Sequence, residues 1–143
     1  MSITEPLIYY SCRQKAWVLG DPWITAINGS ILTIPSGFEF DLASVPRILN
    51  PVIQKWELGT AAPLKHDYCY QRQGVLEYAV PPCVLSRCRI DRIFLDTMRQ
   101  EGVAGWRRVS AYWVVRLFGG FAWRRIGRDK RVLSVPPLYD PAP

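Results

Sequence analysis

Hydrophobic positions fall into two regimes along the chain. Between residues 7 and 34 they come in short runs rich in β-branched and aromatic side chains: 7–10 (LIYY), 16–19 (AWVL), 23–26 (WITA) and 30–34 (SILTI). Runs this short, bounded by turn residues, predict β-strands. Gly20-Asp21-Pro22 and Asn28-Gly29 separate the later runs, and Pro35-Ser36-Gly37 ends the last. Asn28-Gly29 is the strongest hairpin signal, because a two-residue turn that matches strand twist needs positive φ at both positions. Residues 38–63 are irregular, and Pro46 and Pro51 forbid one continuous helix there.

From residue 64 the pattern becomes helical. Residues 64–71 meet no breaker before Gly74 and predict two turns of helix. The clearest helix is 87–100, where Ile90, Phe94, Leu95 and Met98 recur at helical spacing, Ser86 is the N-cap and Gly102 follows the end. Residues 106–123 form a further long helical stretch, with a break expected at Gly119-Gly120. Residues 77–83 contain Pro81-Pro82 and read as a loop, and 134–143 (SVPPLYDPAP) reads as an extended tail. The expected fold is α+β: a small antiparallel β-rich part built of hairpins (1–40), a loop (41–63) and a three-helix part (64–128). Together they make a single domain over 1–133, followed by the tail.

Composition agrees with one globular domain. Of the 143 residues, 49% are apolar and 21% charged, which excludes a disordered chain. The net charge of +6 is carried mainly by arginine. Arg107, Arg108, Arg116, Arg124, Arg125, Arg128, Lys130 and Arg131 crowd the last third. Such a block is either a solvated helix face or a surface for an anionic partner. A phospholipid headgroup or an acidic protein, such as a phage structural protein, is favoured over nucleic acid. The start, MSITEPLIYY, lacks the basic leader and apolar core of a signal peptide. Arg116 cuts the most apolar region, 109–123, into two seven-residue runs, short of the roughly 18–20 residues of a membrane span. A cytoplasmic chain with reduced cysteines is therefore expected.

Candidate chemistry centres on the only histidine, His66, next to Asp67 and four residues before Tyr70. On a helix His66 and Tyr70 share a face, with Asp67 about 100° round. An imidazole can act as general base near neutral pH, and an adjacent carboxylate can hold a hard divalent cation. Asp91, on the next helix, can accept the other ring N–H and fix the tautomer; Asp96 lies five residues later. The competing reading is a helix-surface pair. Cys69, Cys83 and Cys88 follow His66 as H-x₂-C…C-x₄-C, a less favoured zinc set. Buried inert thiols are the default, and Cys12 is assigned to packing. Trp106, Tyr112, Trp113, Leu117, Phe121 and Trp123 interleave with arginines. They read as a core stripe with arginines snorkelling outward, in preference to a helix lying on an anionic membrane.

Two resemblances add to this. The string Lys65-His66-Asp67-Tyr68-Cys69-Tyr70 resembles the H-D-x-x-Y active-site helix of secreted phospholipases A2, and residues 86–98 resemble the second helix of their bacterial and fungal branch. That likeness implies a phospholipase A2-like helical part with His66 as base, Asp67 as a Ca²⁺ ligand, Asp91 as orienter and Tyr70 beside them. It implies further Ca²⁺ ligands at Asp41 and the carbonyl of Leu42, where Leu42 stands in place of a glycine. The wider pattern is Pro35-x-Gly37-Phe38-x-x-Asp41-x-Ala43-Ser44-Val45-Pro46-Arg47, His66-Asp67-x-x-Tyr70 and Asp91-x-x-Phe94-x-x-x-Met98, then Val115-Arg116-x-Phe118-Gly119 and Trp123. It resembles a family of phage and prophage proteins, domain of unknown function family 1353, over roughly residues 30–123. The resulting expectation is a phage-encoded, Ca²⁺-dependent hydrolase of phospholipid or another acyl bond, in the host cytoplasm or the virion. The alternative is a non-catalytic tail or baseplate accessory protein that uses the same residues as a structural polar network.

Overall fold

A computed structural model of the chain describes residues 5–40 and 59–128. Ten elements follow in order: β1 (Ile8–Ser11), β2 (Ala16–Leu19), β3 (Trp23–Ile27), β4 (Ser30–Ile34), β5 (Glu39–Phe40), α1 (Ala61–Gln71), β6 (Val75–Leu76), β7 (Cys83–Val84), α2 (Arg87–Gln100) and α3 (Gly105–Arg128). The fold is α+β, as expected, with antiparallel strands first and three helices after them. The loop residues 41–58 and the tail lie outside the described residues.

The four strands expected from the pattern all form, within a residue or so of their expected ends. β3 and β4 make a tight hairpin, with Ile27 opposite Ser30. Asn28 and Gly29 both take positive φ, +49° and +80°, as the turn demands. Along β3 the side chains alternate, Trp23, Thr25 and Ile27 inward and Ile24 and Ala26 outward. A second sheet has the order β1-β2-β5 and is antiparallel throughout. Three short strands went unforeseen, β5 and the paired β6 and β7, whose two-residue lengths give alternation nothing to repeat.

α1 is the centre of the molecule. It begins at Ala61, three residues earlier than expected, and nine of its eleven residues are buried. Its first N–H groups, which no helical partner can satisfy, are bound by one carboxylate from beyond α2. Ala61 N and Ala62 N donate to Glu101 at 3.0 and 3.2 Å, and Thr60 N at 3.3 Å. An anion placed there also meets the positive end of the helix dipole. At its other end α1 stops before Gly74, at φ +74°, where a Cβ would run into the Leu85 carbonyl. α2 starts at its expected cap, with Arg89 N donating to Ser86 Oγ, and ends before Gly102, at φ +78°.

One apolar cluster joins the strands to α1, with Leu19, Ile34, Leu64 and Leu76 fully inside it. A second, around Phe94, Met98 and Val114, joins α1, α2 and α3. Two expectations about α3 fail. Gly119-Gly120 does not break the helix, which is continuous from Gly105 to Arg128. Its aromatic stripe is core only in part: Trp123 packs against the first cluster and Tyr112 is half-buried, but Trp106, Trp113, Leu117 and Phe121 are exposed. α3 meets the rest of the described fold along a narrow strip, where Ala111 and Val114 are its buried residues, and among the described residues nothing covers the opposite side. Cys12, assigned to packing, is exposed as well.

Candidate functional site

The side chains at the junction of the three helices converge on Asp91, which α2 holds completely buried. His66 Nε2 lies 2.9 Å from its Oδ1, and the Tyr70 hydroxyl donates to the same oxygen at 2.7 Å. Arg116 Nη1, from α3, donates to Oδ2 at 2.7 Å. Arg87 Nε stands 3.9 Å from Oδ2, donates to the Tyr70 hydroxyl at 3.2 Å, and reaches the backbone carbonyls of Val115 and Arg116. One carboxylate thus ties α1, α2 and α3 together. Sharing a face at i and i+4 puts the His66 and Tyr70 rings 4.2 Å apart, and Phe94 closes the other side of the imidazole at 4.7 Å.

Charge states follow from these contacts. Burial disfavours an ionised Asp91, yet the hydrogen bonds from His66, Tyr70 and Arg116 outweigh it and hold its carboxyl below the usual 3.8. An ionised carboxylate only accepts, so Nε2 of His66 must carry the proton on that side. In the neutral ring the lone pair then falls on Nδ1, which lies 3.8 Å from Asp67 Oδ1. Burial also disfavours the imidazolium, but its bonds to Asp67 and Asp91 prevail and raise the His66 pKa above 6.5. Burial first, and then the hydrogen bond to Asp91, push the Tyr70 hydroxyl well above its usual range, so it stays a donor.

An 820 Å³ cleft opens between β1, β2, β5, α1 and α3, and both Asp67 and Tyr70 line it with Lys15, Trp17 and Glu39. His66 stands one layer behind them, with 8% of its surface exposed. The sequence-selected His66, Asp67, Tyr70 and Asp91 are therefore all brought together. Asp96 is not; it is exposed on the far side of α2. Asp41 and Leu42 lie outside the described residues. Among the described residues no group of three or more His, Cys, Asp or Glu comes together to hold a metal ion. His66, Cys69, Cys83 and Cys88 are not gathered into such a group. Burial pushes the Cys69 thiol up to about 12, Cys83 is partly covered, and Cys88 is exposed.

Arg116 and Arg87 were missed as site residues. The signal for Arg116 was its place as the only charge in fifteen residues of apolar helix, since a charge on a packed face needs a counter-ion. Arg87 had no comparable signal, standing among other polar residues at the start of α2.

A β-rich half followed by three helices clamped on one carboxylate defines an α+β protein with a buried His–Tyr–Asp–Arg cluster. Residues 4–115 match the family described as a protein of unknown function (DUF1353), and the chain belongs to that family. The match takes in all the strands and the His66, Asp67, Tyr70 and Asp91 positions, and stops one residue before Arg116. No curated protein and no solved structure matches the chain.

Proposed function

We propose that this chain is a hydrolase of an ester or amide acyl bond, with His66 as general base and Asp91 as the residue that positions it. The observation that carries the reading is the hydrogen bond from Nε2 of His66 to Asp91, which commits one ring nitrogen as donor and leaves Nδ1 as the proton acceptor, directed toward the Asp67 edge of the cleft. Nδ1 would take a proton from water as the water oxygen bonds to the acyl carbon. It would then return that proton to the departing oxygen or nitrogen as the acyl bond breaks. Arg116 keeps Asp91 ionised, and an ionised Asp91 stabilises the imidazolium formed midway.

A Ca²⁺ ion takes about six to eight oxygen ligands. In this proposal Asp67 would hold it from the cleft wall, and the resemblance to phospholipases A2 would add Asp41 and the Leu42 carbonyl, both outside the described residues, as further ligands. A bound cation would polarise the scissile carbonyl. The test is hydrolysis of ester-linked phosphatidylglycerol and of simple acyl esters and amides, with and without added Ca²⁺. Turnover should appear in the parent and vanish in His66→Ala with the fold intact. No turnover on any of these substrates, in the presence of Ca²⁺, would overturn the proposal.

The second reading is a non-catalytic phage structural component, a tail or baseplate accessory, whose helices are pinned by the same network. What favours it is the enclosure of the cluster, with Asp91 fully buried and His66 nearly so. Under that reading His66→Ala lowers the melting temperature sharply, and no acyl substrate is turned over.

A further inference from the structure

The exposed side of α3 carries a regular stripe. Trp106, Val109, Trp113, Leu117 and Phe121 recur every three or four residues and so share one face of the helix. All five are exposed, Leu117 at 68% and Phe121 at 73%. Arg124 and Arg128 continue the same face at the same spacing, with Arg125 beside them, and all three are exposed or partly so. At about 1.5 Å per residue the apolar stretch runs roughly 22 Å before the arginines begin. Among the described residues, the buried contacts of α3 are made from its other side, through Ala111 and Val114.

Charge selects the occupant. α3 contains six arginines and no aspartate or glutamate. A second copy docking through this face would bring together two helices that each carry six arginines and no acidic residue, which disfavours a symmetric dimer. An anionic bilayer satisfies both features at once: rings and leucine enter the acyl boundary while guanidinium groups meet lipid phosphates. We propose that the outer face of α3 is a docking surface for an anionic phospholipid membrane, on which the helix lies flat. The surface stands on its own residues and does not depend on the hydrolase reading. The cleft lies on the other side of the same helix, where Ala122 and Ile126 line its wall.

The experiment is flotation with vesicles of ether-linked phosphatidylglycerol and phosphatidylcholine, lipids that contain no acyl ester, so that binding is read without turnover. The parent should float with these vesicles at low salt, and less so with phosphatidylcholine alone or at high salt. Arg124→Gln/Arg125→Gln/Arg128→Gln should weaken binding about 100-fold. Leu117→Asp/Phe121→Asp should abolish it, with circular dichroism unchanged because both positions are exposed. His66→Ala should float like the parent. Three results would overturn the proposal: no flotation of the parent at low salt, flotation that survives Leu117→Asp/Phe121→Asp, or a dimer in sedimentation equilibrium that this pair of substitutions dissolves.

Discussion

Arg116 Nη1 and Asp91 Oδ2 lie 2.7 Å apart, an ion pair whose acidic partner is wholly out of water. It joins the last helix to the carboxylate that binds the histidine, so His66 and Arg116 share one anion. Removing the guanidinium should leave His66 as the nearer counter-charge and raise its pKa further. The chain has a single histidine, so one ring resonance reports the titration by NMR without assignment. In Arg116→Gln the midpoint should move up and the melting temperature should fall. An unmoved midpoint would show that Arg116 and His66 are not coupled through Asp91. Asp91→Ala is the harsher change, expected to cost about 3–5 kcal/mol because it strands buried cationic and polar groups.

Stability and activity should run in opposite directions above neutral pH. The His66 pKa is raised by folding, so its contribution to stability is complete below 6.5 and is lost as pH rises through the folded value. Asp91 is the reverse case: its contribution is present above 3.8 and is lost as pH falls through its lowered value. A general base works only when neutral, so any hydrolytic rate should climb over the same interval in which the His66 contribution fades. Melting temperatures of the parent and of His66→Asn across pH 5 to 9, set beside a rate profile, check this. A parent-minus-variant difference that grows with pH would contradict the raised His66 pKa.

Glu101 should matter more to stability than an exposed residue usually does. Its carboxylate serves three backbone N–H groups at the start of the central helix. Loss of a helix cap costs ~0.5–2 kcal/mol, and Glu101→Ala should fall at the upper end of that range in urea denaturation. Glu101→Gln keeps acceptor oxygen but loses the dipole interaction, and should cost about half as much. Equal losses in the two variants would mean that charge, and not hydrogen bonding, accounts for the effect.

Most of the frame was legible because short patterns there have one solution. Asn28-Gly29 admits a tight hairpin and little else, and Ser86 with Gly102 bounded α2 at both ends. The cluster around His66 was also readable: helical spacing put His66 and Tyr70 on one face, adjacency singled out Asp67, and the resemblance to phospholipases A2 pointed to Asp91. What escaped was decided by tertiary context. α1 is buried almost all round, so it has no amphipathic stripe to mark its first turn, and its cap comes from Glu101, forty residues away in sequence. The ring-rich stripe of α3 looks alike whether covered or bare, because periodicity gives the face and not the neighbour. Gly119-Gly120 read as a break, since glycine weakens a helix, but close packing against Tyr70 gives Gly119 a use.

That use yields opposite expectations for two adjacent glycines. A Cβ on Gly119 would sit 2.8 Å from the Tyr70 hydroxyl oxygen and 3.4 Å from its ring. The hydroxyl cannot simply swing away, since it is held by Asp91 on one side and Arg87 on the other. Gly119→Ala should therefore push Tyr70 out of line and cost about 1–3 kcal/mol, the usual penalty of overpacking. A Cβ on Gly120 would meet only the Arg87 guanidinium, at 3.6 Å, an ordinary contact. There the substitution should recover the helix preference of alanine over glycine and stabilise by roughly 0.5–1 kcal/mol. Thermal melts of the two single variants and of Tyr70→Phe separate the causes. In the Tyr70→Phe background the hydroxyl is gone, so Gly119→Ala should lose much of its cost while Gly120→Ala keeps its gain. If both alanines stabilise equally in the parent, the close approach of α3 to Tyr70 is not part of the folded protein.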